Sequence, residues 1–189
     1  MKSVLISIRP QWVEKIASGK KTIEVRKTAP KEVPFKAYIY ESRNGGHRCK
    51  HCNEKDSCYS YAPKNVGCYN GRGKVIGEFI CNNASELDYV YYWNNGYEFE
   101  TCLTYRQVAD YGKGKTLYGW HISDLKIYDK PKELSEFYTK KKCNSCKKSG
   151  YESTACMYDE DCKVPMSITR PPQSWMYVED LGEAKWNLN

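Results

Sequence analysis

The sequence predicts an α+β fold that is mostly β: a small, closed or nearly closed barrel with a few short helices and short turns. Three observations predict it. Short runs that alternate apolar and polar residues recur along the 189-residue chain, and such alternation marks half-buried strands. Helical spacing is confined to a segment after Pro10 and another after Thr104. Tyr is unusually frequent at 17 copies, and aromatic side chains favour strands. The length fits a single domain over 1–189, and 40% apolar residues can build a sizeable core.

The elements follow in order. In VLISIR, Val4, Ile6 and Ile8 alternate with Leu5, Ser7 and Arg9, which predicts a strand. Pro10 suits the first turn of a helix, where its missing N–H costs nothing. Trp12, Val13 and Ile16 give that helix an apolar side, and Gly19 suits the position just past its end. TIEVR and PFKAYIYES then read as two further strands. GRGKVIGEFIC (71–81) is a strand with Val75, Phe79 and Cys81 on one face, and ELDYVYYW is another. Thr104 and Gln107 have capping-box spacing, so TYRQVADYG is a short helix. GKTLYGWHISDLKIYD is a long strand or a bent pair, KPKELSEF a turn with a docking segment, and ITRPPQSWMYVED ends in a strand.

Two aperiodic segments, 46–70 and 141–165, interrupt these elements as cysteine-rich insertions. The first carries Cys49-x2-Cys52-x5-Cys58-x9-Cys68 and the second Cys143-x2-Cys146-x9-Cys156-x5-Cys162. The opening Cys-x-x-Cys is common to both and the later gaps are swapped. Four thiolates satisfy tetrahedral Zn²⁺, and a closed shell of this kind is structural. Neither segment has the apolar residues for a core of its own, so a metal would supply the missing folding free energy. Two structural zinc ions are therefore expected. Free thiols, a disulfide, or one site shared between the two Cys-x-x-Cys pairs are the other readings. His47 and His51 are possible substitutes for a cysteine in the first cluster, while Cys81 and Cys102 fall outside both.

The formal net charge of +7 favours anionic partners such as nucleic acid. Two four-thiolate zinc sites, each a formal −2, would bring it to about +3, so local patches matter more. Residues 1–45 hold ten Lys or Arg against four Asp or Glu, and residues 130–150 hold seven Lys against two Glu. The apolar run VLISI is too short for a secretory signal and stops at Arg9-Pro10. No stretch approaches the roughly 18 apolar residues of a membrane span. A cytoplasmic protein without a membrane partner is expected, and in a reducing compartment clustered cysteines point to metal. No P-loop and no G-x-S-x-G nucleophile motif is present.

The stretch GKKTIEVRK (19–27) raises a separate question. Ile23 and Val25 point to one face, presenting Thr22, Glu24 and Arg26 on the other, with Lys21 just before them. A strand, Arg-Pro, a helix and then Gly19, Lys21, Thr22, Glu24 and Arg26 as G-x-K-T-x-E-x-R resemble the opening of the ASCH domain, a relative of the PUA-like barrels. SIRPQWVEKIASGKKTIEVRK (7–27) matches nearly throughout, and GKVIGEF (73–79), YGWHISDLKIYDKPKEL (118–134) and ITRPPQSWMYVE (168–179) are similar to later strands of bacterial and phage-encoded members.

The resemblance implies a small PUA-like (ASCH) barrel whose cleft, beside the first helix, binds RNA or other nucleic acid. It also implies possible catalysis. One branch of the family removes acetyl groups from N4-acetylcytidine, and another has been described as ribonuclease. In the amidohydrolase branch the motif is G-x-K-T-x-T-x-R, with the Lys and second Thr catalytic; here Lys21 matches and Glu24 stands where the second Thr would be.

On this reading Ser7, Arg9, Lys21, Thr22, Glu24 and Arg26 line the cleft. Arg can hold a phosphate bidentately or stack on a base, Lys21 offers a point charge, and Glu24 can accept from an exocyclic amine. Trp120 and Trp175 are candidate stacking platforms, although a Trp on a closing strand is as readily core. A buried Glu24–Arg26 or Lys21–Glu24 ion pair that merely holds the fold is the bland reading. His121 is more often structural than a general base in such a position. Three functions follow: a module recognising RNA or a modified nucleotide, an enzyme on nucleic acid or a nucleoside using Lys21 and Glu24, or a zinc-stapled adaptor whose basic insertions contact another protein.

Overall fold

Burial of Val4, Leu5, Ile6 and Ile8 makes the first strand, β1 (Lys2–Ile8), central rather than peripheral. The computed structural model describes residues 1–43, 71–87, 97–142 and 163–180. After β1 come α1 (Pro10–Ala17), β2 (Ile23–Arg26), β3 (Phe35–Glu41), β4 (Val75–Cys81), β5 (Ala84–Leu87), α2 (Tyr97–Thr101) and α3 (Tyr105–Gly112). The chain continues through β6 (Leu117–His121), β7 (Ser123–Lys132), a 3-10 turn (Leu134–Glu136), β8 (Tyr138–Lys142), β9 (Lys163–Ser167) and β10 (Trp175–Val178).

The described strands form three sheets, in orders β10-β1-β3-β4-β7, β2-β6-β5 and β8-β9. The predicted mostly-β, α+β class holds, and among the described residues no single ladder closes into a ring. β1 runs parallel to β3, with α1 and β2 forming the crossover, and antiparallel to β10. β2 leaves that sheet to pair with β6, setting Glu24 opposite Trp120 and Arg26 opposite Tyr118.

Both faces of the five-stranded sheet are covered, because successive side chains alternate and each face has its own core. Val4, Ile6, Ile8, Phe35, Ala37, Ile39, Phe79 and Cys81 pack with α1 and Trp120 on one side. Leu5, Tyr38, Tyr40, Val75, Phe137, Ile168 and Val178 pack on the other. A third cluster, Val25, Leu87, Val108 and Leu117, fixes α3 to the small sheet. The expectation that Val75 shares a face with Phe79 and Cys81 fails at a register shift: Ile39 pairs with Gly77 but Tyr40 with Val75. Ile76 is the extra residue, and a bulge of this kind turns the following side chain over. Gly77 is required beside it, since a Cβ there would lie 2.5 Å from the Lys126 carbonyl oxygen.

α1 ends as the sequence predicts. The Ser18 N–H donates to Glu14 O and the Gly19 N–H to Ile16 O, with Gly19 at φ +72°, a conformation glycine adopts without strain. The region 117–132 is the bent pair: the break at Ile122 lets β6 and β7 join different sheets. KPKELSEF extends β7 and then docks through fully buried Phe137. Two elements depart from the sequence reading. Short α2 was not foreseen, and the second insertion is narrower than 141–165, because Lys141, Lys142 and Lys163 to Pro165 belong to the β8-β9 ribbon. The first insertion, residues 88–93 of the ELDYVYYW strand, and all eight clustered cysteines lie outside the described residues.

Candidate functional site

β2 delivers Lys21, Glu24 and Arg26 to one place through its hydrogen bonding rather than through a solvated edge. Ahead of the strand, the Lys21 N–H donates to Lys15 O at 2.9 Å and the Thr22 N–H to Glu100 O at 2.8 Å. The Thr22 carbonyl accepts from the Ile122 N–H at 2.8 Å. With the backbone held on both sides, the Lys21, Glu24 and Arg26 side chains lie in the wall of a cleft of about 510 Å³. The end of β1 contributes Ser7 and Arg9, α1 contributes Gln11 and Trp12, α3 contributes Gln107 and Tyr111, and Pro171–Gln173 close the far side.

The three charged side chains form a buried chain. Lys21 Nζ lies 3.4 Å from Glu24 Oε2, and Arg26 Nη2 lies 3.0 Å from Glu24 Oε1. Lys21 Nζ also donates to Thr101 O at 2.6 Å, and Arg26 Nη2 to Ser7 O at 2.6 Å. Lys21 is only 2% exposed. Burial lowers its pKa from the usual 10.5, and Glu24 offsets only part of that. The balance therefore falls on the side of desolvation, which outweighs the neighbouring carboxylate. Arg26 Nε is buried with no hydrogen-bond partner among the described residues. An unpaired buried donor is costly, so Arg26 is held in the wall with part of its hydrogen-bonding capacity unused.

Around this chain the cleft is aromatic and partly open. Trp12 is half-buried, with Lys15 Nζ 4.9 Å and Lys21 Nζ 5.4 Å from its ring centroid. Tyr111 is exposed at the rim, with Lys27 Nζ 4.9 Å from its ring. Its hydroxyl pKa is raised, chiefly by desolvation. Arg9 is exposed and forms no ion pair among the described residues.

Five of the eight expected cleft residues are thus brought together: Ser7, Arg9, Lys21, Glu24 and Arg26. The other three are not. The Thr22 side chain is exposed outside the lining, because the residue sits before the strand proper and only its backbone is engaged. Trp120 is fully buried, edge-on to Phe35 at 5.0 Å and to Trp175 at 5.7 Å, so it has no open face. Trp175 packs on the same core and donates from Nε1 to Thr28 Oγ1 at 3.0 Å. Ser7 lines the cleft, but its hydroxyl is already used to hold the Pro172 carbonyl at 2.6 Å. His121 lies off the cleft, its N–H on Asn83 O.

The aromatic residues of the cleft are instead Trp12 and Tyr111, assigned in the sequence to helices and not to the site. Their spacing offered a signal. Trp12 and Ile16 are one helical turn apart, yet the ring's position a turn nearer the Arg-Pro start places it over Lys21. Among the described residues no group of three or more His, Cys, Asp or Glu could hold a metal. No helix there is long and apolar enough to cross a membrane.

The sequence matches no family model, and no curated protein matches it. Solved structures do. The ASCH protein of Zymomonas mobilis, ZmASCH, superposes with a TM-score of 0.54 at 19% identity, covering 94% of this chain and 88% of that one. A Tyr→Phe mutant of the same protein gives 0.55 at 19% identity over 95% and 91%. At that identity the likeness speaks to architecture, and it agrees with the motif at residues 19–26: the chain carries the ASCH fold.

Proposed function

We propose that the cleft binds RNA or another nucleic acid, taking an unpaired or modified nucleotide against the buried Lys21–Glu24–Arg26 chain. The observation that carries this reading is Arg26: a buried guanidinium in a cleft wall, oriented by Glu24 and Ser7 O, with Nε unpaired. Such a group suits a phosphate or a base carbonyl. Trp12 and Tyr111 supply rings for stacking, which contributes about 1–3 kcal/mol per base in single-strand binders. Arg9 adds a positive charge at the rim that has no ion pair among the described residues. The ASCH fold agrees with this class of ligand.

We propose in addition that each cysteine-rich segment holds one structural zinc. Lys142 and Lys163, the sequence neighbours of Cys143 and Cys162, are Cα partners across the β8-β9 ribbon. That pairing supports a chain reversal able to bring the first and last thiolates of the cluster together.

One observation favours a second reading, hydrolysis at the same site: burial lowers the Lys21 pKa, as a lysine acting as base requires. On that reading Lys21 and Glu24 act on RNA or on an acylated nucleoside.

Native mass spectrometry of the purified chain, with metal content and co-purified nucleotide read together, tests the proposal. Two zinc ions and a nucleotide or RNA adduct, weakened in Arg26→Lys and in Arg9→Ala, are expected. One zinc would indicate a shared site, and none after chelator-free purification would overturn the zinc assignment. Absence of any adduct, together with no binding of added nucleotides or RNA, would overturn the nucleic-acid reading. Turnover of RNA or N4-acetylcytidine that is lost in Lys21→Met would shift the assignment to the enzyme.

A further inference from the structure

A second cleft of about 620 Å³ adjoins the first, and the two share a wall made by Ser42 and Pro171. Its lining includes Arg43, Gly73, Glu133, Ser135 and Thr169. The residues of the shared wall, Ser42 and Pro171, carry short uncharged side chains. A Cβ on Gly71 would lie 1.9 Å from Ser42 O and 2.7 Å from Pro10 Cγ, so only glycine lets the returning chain lie flat against it. Ser42 itself is held by its N–H on Ile8 O at 2.9 Å, continuous with the strand that carries Arg9. On the other side, Pro172 O is tied to the Ser7 hydroxyl.

Arg43 is placed over the second cleft by a comparable device. A Cβ on Gly73, which sits at φ +67°, would lie 2.2 Å from Arg43 Nε, so the arginine stem crosses a bare Cα. Arg43 is exposed and has no ion pair among the described residues. The acid in this cleft, Glu133, is occupied by Lys74 Nζ at 2.7 Å. Arg9 in the first cleft and Arg43 in the second are thus two guanidinium groups without an ion pair among the described residues, on either side of one shared wall.

We propose that the two clefts are consecutive subsites for one single-stranded polynucleotide, whose backbone crosses at Ser42 and Pro171. This inference rests on the nucleic-acid reading of the first cleft. A free mononucleotide would occupy only that cleft and leave Arg43 unused. A strand contacts both guanidinium groups, and each phosphate neutralised adds counterion release to the affinity. The wall residues are uncharged and carry no extended side chain to stop a sugar-phosphate backbone.

Fluorescence and calorimetric titration of the full chain tests this. The probes are nucleoside 5′-monophosphates, a mixed-sequence RNA hexamer and its DNA counterpart, and a duplex of the same sequence. A hexamer of one or both types should bind at least about tenfold tighter than the monophosphates and tighter than the duplex. Arg43→Ala should shrink that length-dependent gain and flatten the plot of log affinity against log salt by about 0.7, one phosphate contact on a single strand. Hexamers that bind no tighter than monophosphates, an unchanged gain in Arg43→Ala, or preference for the duplex would overturn the second subsite while leaving the first intact. Failure of every probe to bind would overturn the reading of the first cleft as well.

Discussion

Glu24 carries more of the site than its neighbours because it faces two cations at once. Each of its oxygens meets a buried positive group, Lys21 at 3.4 Å and Arg26 at 3.0 Å. Removing a partner from a buried ion pair typically costs about 3–5 kcal/mol, since the remaining charge is left uncompensated. Glu24→Ala leaves two such charges and is expected to fall at the upper end of that range in urea denaturation. Lys21→Met leaves Glu24 with Arg26 and should cost less. The two variants also differ in pH behaviour. The folded pKa of Lys21 lies below its unfolded 10.5, so between those values the unfolded chain holds the additional proton, and stability from this group rises with pH. Wild type should therefore gain on Lys21→Met as the pH is raised toward 10.5. A gap that stays constant or narrows would mean that burial does not govern this lysine.

At the level of elements, α3 holds one wall of the first cleft and depends on its cap. The Thr104 hydroxyl accepts from the Gln107 N–H at 3.3 Å while the Gln107 side chain accepts from the Thr104 N–H at 2.9 Å. Thr104→Ala should cost about 1 kcal/mol in thermal or urea unfolding. It should also weaken ligand binding, because Gln107 and Tyr111 share that helix; binding without any change would separate α3 from the site. This capping box was legible in the sequence, as were β1, α1, β2, β3 and the bent pair. All of these rest on local periodicity or end chemistry. What escaped the sequence needed partners distant along the chain. Trp120 looks like an exposed ring by alternation, but the large sheet closes over it. Trp12 looks like core, and it does pack against the core, but it stays half-buried and its ring also lines the cleft. Val75 was misplaced because a bulge leaves no mark other than the neighbouring glycine.

For the whole molecule, the β8-β9 ribbon bounds the second cysteine-rich segment. The ribbon pairs from Tyr138↔Ser167 to Lys142↔Lys163, so residues 143–162 begin and end at directly opposed positions. Two residues such as Asn-Gly suffice to join opposed strand ends in a hairpin. Replacing 143–162 by Asn-Gly should leave the circular dichroism spectrum of the core and its melting temperature within a few degrees of wild type, while removing one of the two proposed zinc ions. Collapse of the fold in this variant would show that the segment packs on the core. The overall class was readable from composition and strand number, and the opening motif led to the fold that the solved ASCH structures share. Five of eight proposed cleft residues were readable because β1, the Arg-Pro turn and β2 are consecutive. The second cleft was not, since Arg43, Glu133 and Thr169 are distant in sequence.

The single-residue break at Ile122 has a mechanical consequence. Its N–H is bonded to Thr22 O beside the motif, while β6 and β7 on either side belong to two different sheets. The sheet that brings Ser7 to the cleft and the sheet that brings Glu24 and Arg26 are thus joined at this point by a single residue. A connection this short is expected to limit relative motion of the two sheets, so that most of the ordering on docking falls on the ligand. Capture should then follow simple one-step kinetics, set by collision and charge steering and not by a slow opening of the protein.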